Sequence, residues 1–215
     1  MTNNLFETQY DLTKKSKIKM FYESYKIFIY SLIVLLVIFI AGFSYYTDNK
    51  EKKKILLSED YVKAKIYLAN GRKSEALEIL KNIVQANDSA YSTLSFFLIL
   101  NRNLINDREE VLNLFNHLLK NSKFDKEIRN LLLYKKALYS SNHLNEAELL
   151  MEVKPLLEKD SLWRAQTLLL LGDYFVSRKE NLKAKDFYTQ VLSIKKLEKG
   201  LYDKALSQLK LINYD

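Results

Sequence analysis

The chain has 215 residues, a formal net charge of +8 and no cysteine. The absence of cysteine excludes disulfides and thiol chemistry, and a chain of this length can bury a core without them. The basic residues are spread along the sequence among acidic ones, with no arginine cluster, no aromatic RNA-binding motif and no zinc-ligand spacing. We therefore predict no nucleic-acid binding.

The first predicted elements are a short basic tail over residues 1–26 and an apolar helix over residues 27–46. From Ile27 to Tyr46, in "KIFIYSLIVLLVIFIAGFSYY", twenty residues carry no charge. At about 1.5 Å per residue this helix covers a hydrocarbon layer of roughly 30 Å, and the aromatic residues at both ends are typical of the headgroup region. We predict a single helix spanning a lipid bilayer. The alternatives are a cleaved signal peptide and the core helix of a soluble protein.

The orientation of a membrane helix usually depends on which of its two flanking segments carries more lysine and arginine. Both sides are basic, and a domain of the size that follows can cross a membrane largely regardless of its charge. The sequence therefore leaves both orientations open. The lysines are Lys14, Lys15, Lys17, Lys19 and Lys26 on the N-terminal side and Lys50, Lys52, Lys53, Lys54, Lys63 and Lys65 on the other.

Residues 47–57 are predicted to form a membrane-proximal helical linker. No glycine or proline lies between Gly42 and Gly71, so nothing in the local sequence ends the membrane helix before the next domain.

Residues 58–215 show helical periodicity interrupted by short polar connectors, which is the pattern of a repeat domain. Four connector-plus-helix stretches align, and each is preceded by another apolar helix. We predict about four helical hairpins, each burying its apolar face against the next. The aligned central residues, mostly small, are Ala76, Val111, Ala147 and Ala184, spaced 35, 36 and 37 residues apart.

Several residues predict where these helices begin and end. Gly71 suits a left-handed C-cap, and Asp107 with Glu110 has the spacing of an N-terminal capping pair. Pro155 predicts a helix end near Lys154. The last helix has one apolar face, which predicts a cap over the end of the array. Further N-cap candidates are Asp88-Ser89 and Asp160-Ser161, and the apolar face of the last helix consists of Leu201, Ala205, Leu209 and Ile212.

The fourth unit, "LLLLGDYFVSRKENLKAKDFYTQVL", resembles the tetratricopeptide repeat. Gly172 and Phe175 match the small and aromatic residues of that family's first helix, and Ala184 matches the small residue of its second helix. The resemblance implies an all-α fold: a single N-terminal transmembrane helix followed by a tetratricopeptide-like array of about four helical hairpins with a C-terminal capping helix. The second and third units depart from the pattern, with Val111 at a small position and no glycine before the turn, so a generic array of helical hairpins stays an alternative.

The layout of the whole chain is similar to that of the ancillary subunit of the SecYEG translocon (YfgM-type). The likeness covers nearly the full chain and is closest in "WRAQTLLLLGDYFVSRKENLKAKDFYTQVL" and the following "LYDKALSQLKLIN". The resemblance implies a single-pass protein of the bacterial inner membrane, with a cytoplasmic N-terminus and a periplasmic repeat domain. It implies two partners, the SecYEG translocon and a membrane-anchored periplasmic chaperone of the peptidyl-prolyl isomerase type. The alternative is an anchored helical-repeat receptor or scaffold unrelated to secretion and facing the cytoplasm.

No catalytic, cofactor or metal site is predicted, and no small-molecule substrate. The chain has no GxSxG, no phosphate-binding glycine loop and no HExxH, and its two histidines, His117 and His143, stand apart.

Partner binding is predicted on the first helices of the hairpins, which line the concave face in the family that the fourth unit resembles. A second surface is the membrane helix, whose small residues allow close approach of another helix. We expect Tyr61 to be exposed and to be the best candidate among the predicted partner-binding residues, because aromatic residues often anchor interfaces. The alternative for Val176 and Leu68 is that they are core residues. The predicted partner-binding residues are Tyr61, Lys65, Leu68, Asp173 and Val176, and the small residues of the membrane helix are Ser31, Ala41, Gly42 and Ser44.

Overall fold

The computed structural model describes residues 17–214 and is all-helical over that range. Residues 1–16 of the predicted basic tail lie outside the described residues. The chain divides into two compact units, Met1–Leu56 and Leu57–Asp215. The α-helices of the described range are α1 (Lys17–Ala69), α2 (Lys73–Gln85), α3 (Tyr91–Asn101), α4 (Arg108–Asn121), α5 (Lys126–Ser140), α6 (Glu146–Val153), α7 (Arg164–Ser177), α8 (Asn181–Leu192) and α9 (Lys199–Tyr214), with a 3-10 helix at Lys154–Leu157.

The part of α1 that belongs to the first unit is apolar and exposed. It contains an 18-residue window with a mean hydropathy of 2.7, none of which is buried. The core helix of a soluble protein, which was one alternative, would be covered by other elements, whereas side chains such as Ile27 and Phe39 are 78% and 69% exposed. By length and composition this segment is a candidate membrane span. Residues 47–57, predicted as a helical linker, lie within α1.

The second unit contains two hydrophobic cores, which both include residues of α5. The first core joins the C-terminal turns of α1 with α2, α3, α4 and the start of α5 around Phe96 and Phe115, whose rings meet edge to face with centroids 4.5 Å apart. The second core joins the end of α5 with the helices that follow it. Leu132 lies in the first core and Ala137 in the second.

Helices α7 and α8 approach each other closely at Gly172. A Cβ atom on Gly172 would lie 2.3 Å from Cε1 of Tyr188, which is far inside van der Waals contact. Glycine at this position therefore lets α8 place the buried Tyr188 ring directly on the backbone of α7. This agrees with the predicted close crossing of two helices at Gly172.

The C-terminal ends of three helices have the same cap. After α1, α3 and α7, the residue at the second position beyond the helix has a positive φ: 76° at Gly71, 48° at Asn103 and 62° at Lys179. In each case the next N–H bonds back five residues, as in Leu104 N to Ile99 O at 3.1 Å. This is the Schellman motif, and the predicted cap at Gly71 is confirmed.

Helix α6 ends as predicted, whereas Asp88 and Ser161 each lie two residues before the N-cap that the structure has. Asp88 accepts hydrogen bonds from the N–H groups of Ala90 and Tyr91 at 3.0 and 2.8 Å. Ser161 Oγ accepts one from Trp163 N at 3.2 Å. Helix α6 ends at Val153, and Pro155 lies in the 3-10 helix that follows.

Two of the predicted helix starts need correction. Asp107 caps α4 by accepting from Glu109 N rather than by pairing with Glu110. In the third predicted hairpin Ala147 is exposed and is not the buried central residue. A capping box between Asn145 and Glu148 starts α6 at Glu146. The fourth residue of α6 is then Leu149, which is buried.

With this change the helices that follow the four predicted connectors share one feature, a buried fourth residue. These residues are 0 to 2% exposed, and their spacings become 35, 38 and 35. They are Ala76 in α2, Val111 in α4, Leu149 in α6 and Ala184 in α8.

Helix α9 covers α8 and α7 with its predicted apolar face. Ala205 is fully buried, and Leu201, Leu209 and Ile212 pack against the second core. The opposite side is exposed, as at Leu211, which is 59% exposed.

Candidate functional site

Three of the predicted partner-binding residues lie near the C-terminal end of α1. Tyr61 and Leu68 are half-buried and pack on the first core, and Lys65 is exposed. The Tyr61 ring lies 6.3 Å from that of Tyr91, so the expectation that Tyr61 is exposed is wrong: α3 covers part of its ring. Lys65 Nζ lies 6.0 Å from the centre of the Tyr61 ring.

The predicted residues of the fourth unit lie on α7 and are engaged with neighbouring helices. Asp173 accepts a hydrogen bond from the Tyr188 hydroxyl at 2.6 Å, and its other oxygen pairs with Lys204 Nζ of α9 at 3.1 Å. Val176 is half-buried and packs on the second core. Asp173 therefore links three helices. Tyr61 and Leu68 pack on the first core, whereas Val176 packs on the second.

Lys65 and Leu68 line a surface cavity of about 710 Å³ between the ends of α1 and α3, which we name the α1–α3 groove. Its lining includes three leucines, three cations and two asparagine amides. The Schellman caps at Gly71 and Asn103 end α1 and α3 beside the groove. The lining residues are Lys65, Leu68, Ala69, Lys73, Leu98, Asn101, Arg102, Asn103 and Leu104.

The cations of the α1–α3 groove have no acidic partner. No acidic residue lines the groove, and within the described chain Lys65, Lys73 and Arg102 make no ion pair. The nearby Glu75 is occupied by Arg72, with Nε and Oε1 2.9 Å apart. The groove therefore presents uncompensated positive charge beside apolar surface.

Lys73 is in an unfavourable place for the stability of α2. It is the first residue of that helix, where the macrodipole is positive and a carboxylate would be stabilising. Residues that break a local rule and so lower stability are expected mainly at functional sites. Lys73 is therefore a stronger candidate for ligand contact than an ordinary surface lysine.

A second cavity, of about 390 Å³, adjoins the groove and is named here the α3–α5 pocket. Asn101 and Asn103 line both cavities. The pocket is mainly apolar, and part of its wall is open, since Leu138 is 46% exposed. Its lining residues are Phe97, Ile99, Leu100, Asn101, Asn103, Ile105, Val111, Lys135, Leu138 and Tyr139.

Sequence reasoning found Lys65 and Leu68 but missed the other groove residues. Lys73 begins α2 and Arg102 follows the end of α3, and only tertiary packing brings them to Lys65. One signal was present in the sequence, because a lysine directly after a Gly-Arg connector and at a helix start opposes the helix dipole.

Among the described residues, no group of three or more His, Cys, Asp or Glu side chains is placed to hold a metal ion. His143 is exposed, and His117 Nδ1 lies 3.1 Å from Asn121 Nδ2 within α4.

No protein-family model matches the chain, and searches of curated proteins and of solved structures found no match either.

Proposed function

We propose that this protein is a membrane-anchored, non-catalytic interaction protein that presents the α1–α3 groove to protein partners. The observation that carries the proposal is the groove: about 710 Å³ of surface cavity with apolar side chains and three cations that no acidic residue neutralises. Concave apolar sites with a few polar groups are where proteins bind ligands. Unpaired charges at such a site support recognition of a partner of opposite charge.

The anchor in this proposal is the N-terminal part of α1, over residues 27–46. Its apolar side chains are exposed, and none of its most apolar window is buried. Exposed apolar surface of this extent is costly in water and favourable in lipid. The same exposure argues against the role of a core helix.

The second unit, in this proposal, is a tetratricopeptide-like array of about four helical hairpins with α9 as its cap. Two repeated features support this arrangement. The fourth residue is buried in each of α2, α4, α6 and α8, and Schellman caps follow α1, α3 and α7. Helix hairpins stacked in this way act by offering surface.

For the partners, we propose the SecYEG translocon and a membrane-anchored periplasmic peptidyl-prolyl isomerase-type chaperone, with a role in assisting secreted or membrane proteins. This part rests on the likeness of the sequence layout. It requires an inner-membrane location with the N-terminus in the cytoplasm and residues 58–215 in the periplasm. The alternative is an anchored receptor or scaffold unrelated to secretion that faces the cytoplasm.

A topology reporter separates the two proposals. Alkaline phosphatase, which is active only in the periplasm, is fused after Asp215, and a reporter active only in the cytoplasm is fused at the same place as the matched control. The secretion proposal predicts that the phosphatase is active and the cytoplasmic reporter inactive. The reverse result would exclude the periplasmic role and support the alternative.

Copurification then tests the specific partners. The full chain, extracted in a mild detergent, should retain translocon subunits and the chaperone, as detected with antibodies against each. A variant with Lys65→Glu and Lys73→Glu should lose the chaperone if the groove holds it. If neither partner copurifies with a correctly oriented protein, the translocon role is excluded while the anchored binding function stands.

A further inference from the structure

We propose that the α1–α3 groove and the α3–α5 pocket form one binding site for an extended, acidic segment of a partner protein that also carries a bulky apolar side chain. The acidic residues would lie in the groove and the apolar side chain in the pocket. This inference rests on the proposed function as an interaction protein and specifies the chemistry of the partner.

The charge of the groove selects an acidic segment. Lys65, Lys73 and Arg102 line it without any acidic neighbour in the lining. Bringing carboxylates next to these cations replaces repulsion among like charges by attraction, which gives both specificity and a faster encounter. Lys73 contributes most to this argument, because at the start of α2 it is disfavoured in the free protein. A carboxylate bound beside Lys73 would also face the positive end of that helix.

The wall that the two cavities share can form hydrogen bonds with a partner segment in an extended conformation. Asn101 and Asn103 line both cavities, both are exposed, and their side-chain amides make no hydrogen bond within the described chain. An asparagine amide offers both a donor and an acceptor, the two groups that an extended peptide presents along its edge. A segment that crosses from one cavity to the other passes these amides.

The α3–α5 pocket selects the apolar side chain. Its volume of about 390 Å³ lies within the range of ligand-binding cavities. Phe97, Leu138 and Tyr139 supply apolar and aromatic surface, and Lys135 is the only charged residue among its lining residues in the described chain. A phenylalanine or leucine of the partner would remove this surface from water.

The test uses the full-length protein in detergent micelles and a fluorescent peptide of about ten residues with three glutamates, a short serine-glycine spacer and one phenylalanine. Fluorescence anisotropy gives its Kd. Two control peptides replace the glutamates by glutamines or the phenylalanine by serine. We expect each replacement to raise Kd by about tenfold, and the affinity of the acidic peptide to fall as salt is increased.

A charge-reversal pair locates the acidic half of the site. Lys65→Glu with Lys73→Glu should raise the Kd of the acidic peptide at least about tenfold. The matched control, Lys63→Glu with Lys195→Glu, has the same net charge but changes exposed lysines outside the groove, and should leave Kd within about twofold. A glutamate at position 73 interacts favourably with the dipole of α2, so we do not expect this variant to unfold. A melting temperature that is not lowered would show that the loss of binding is not caused by unfolding.

A second pair of variants locates the apolar half. Leu138→Ser should weaken binding of the phenylalanine peptide and leave the serine peptide unaffected. Leu94→Ser is the matched control, because Leu94 is 47% exposed against 46% for Leu138 and lines neither cavity. Equal effects of Leu138→Ser on both peptides would overturn the assignment of the pocket.

The remaining outcomes also decide the inference. If the charge-reversal pair binds the acidic peptide as well as the wild type does, or if the protein binds phosphatidylglycerol vesicles through the same lysines and not the peptide, the inference is wrong. The failure of this inference can be distinguished from the failure of the proposed function. If the protein does not bind the peptide but still copurifies with the chaperone, the proposed function stands and only the proposed chemistry of the partner is wrong.

Discussion

Gly172 is the residue on which the packing of α7 against α8 depends most. A glycine inside a helix lowers stability by roughly 1 kcal/mol relative to alanine. At Gly172, however, the buried ring of Tyr188 lies directly against the backbone. The added Cβ would lie 2.3 Å from that ring, so the gain in helix propensity is outweighed by overpacking.

Gly172→Ala should therefore lower the free energy of unfolding by about 1–3 kcal/mol, measured by urea unfolding of residues 54–215. Gly200→Ala is the matched control, since its nearest neighbour would be Glu198 Oε1 at 3.8 Å, and it should be neutral or stabilising by up to about 1 kcal/mol. A similar loss in both variants would mean that the Tyr188 contact is not the cause. Tyr188→Leu should restore part of the loss caused by Gly172→Ala.

Tyr188 also makes stability depend on pH. Burial, and then its hydrogen bond to Asp173, raise the pKa of the Tyr188 phenol well above its ordinary value of 10.0. Above about pH 10 the unfolded chain loses this proton while the folded domain keeps it, so the free energy of unfolding falls as pH rises, by about 1.4 kcal/mol per pH unit from this group. Urea unfolding between pH 9 and 11 should show a steeper decline for the wild type than for Tyr188→Phe. Equal slopes would contradict this account.

Lys179 occupies a conformation that suits glycine. Its φ is 62°, in the same cap position as Gly71 with a φ of 76°. Lys179→Gly should raise the free energy of unfolding by about 1 kcal/mol, and Gly71→Ala should lower it by about the same amount, because a Cβ is disfavoured in this region. Nothing lies within 4 Å of a Cβ on Gly71, so that loss would come from the backbone alone. Changes of the same sign in the two variants would exclude this explanation.

Among the helices, the sequence predicts ends better than it predicts packing. Gly71, Asp88 and Pro155 act locally, so their roles can be read from neighbouring residues. Ala147 was aligned by size alone, and the local signal that decides the register is Asn145 with Glu148, which places the start of α6. Small residues mark a close approach only where a partner side chain faces them, and this is a tertiary property.

Helix α9 protects the end of the second core. Ala205 is buried and three further apolar residues of α9 pack on that core, each with a transfer free energy of about 1.5–3 kcal/mol when fully buried. Deleting the residues after Gly200 should cost about 3 kcal/mol or more and lower the melting temperature by about 6–12 °C. Leu211→Ser, on the exposed side, is the control and should melt as the wild type does. An unchanged melt after the deletion would mean that α9 is dispensable.

For the chain taken together, the sequence identifies the candidate anchor and the all-helical domain, because both depend on periodicity and length. It identifies only part of the candidate site. Lys65 and Leu68 were predicted on a helix face, whereas Lys73, Arg102 and Asn103 reach the groove because three helix ends meet there. Asp173 was assigned to the surface by its position, and its role in joining α7, α8 and α9 depends on partners 15 and 31 residues away.

The central claim, that the groove rather than the anchor recognises the partner, is tested most directly by photo-crosslinking in intact membranes. A benzophenone amino acid is placed at Ala69, an exposed residue that lines the groove, at Ala41 in the apolar segment, or at Leu182, an 84% exposed leucine outside both. We predict an adduct with the translocon or the chaperone from position 69, its loss when Lys73→Glu is added, and none from position 182. Adducts from position 41 with none from position 69 would contradict the claim and assign recognition to the membrane helix.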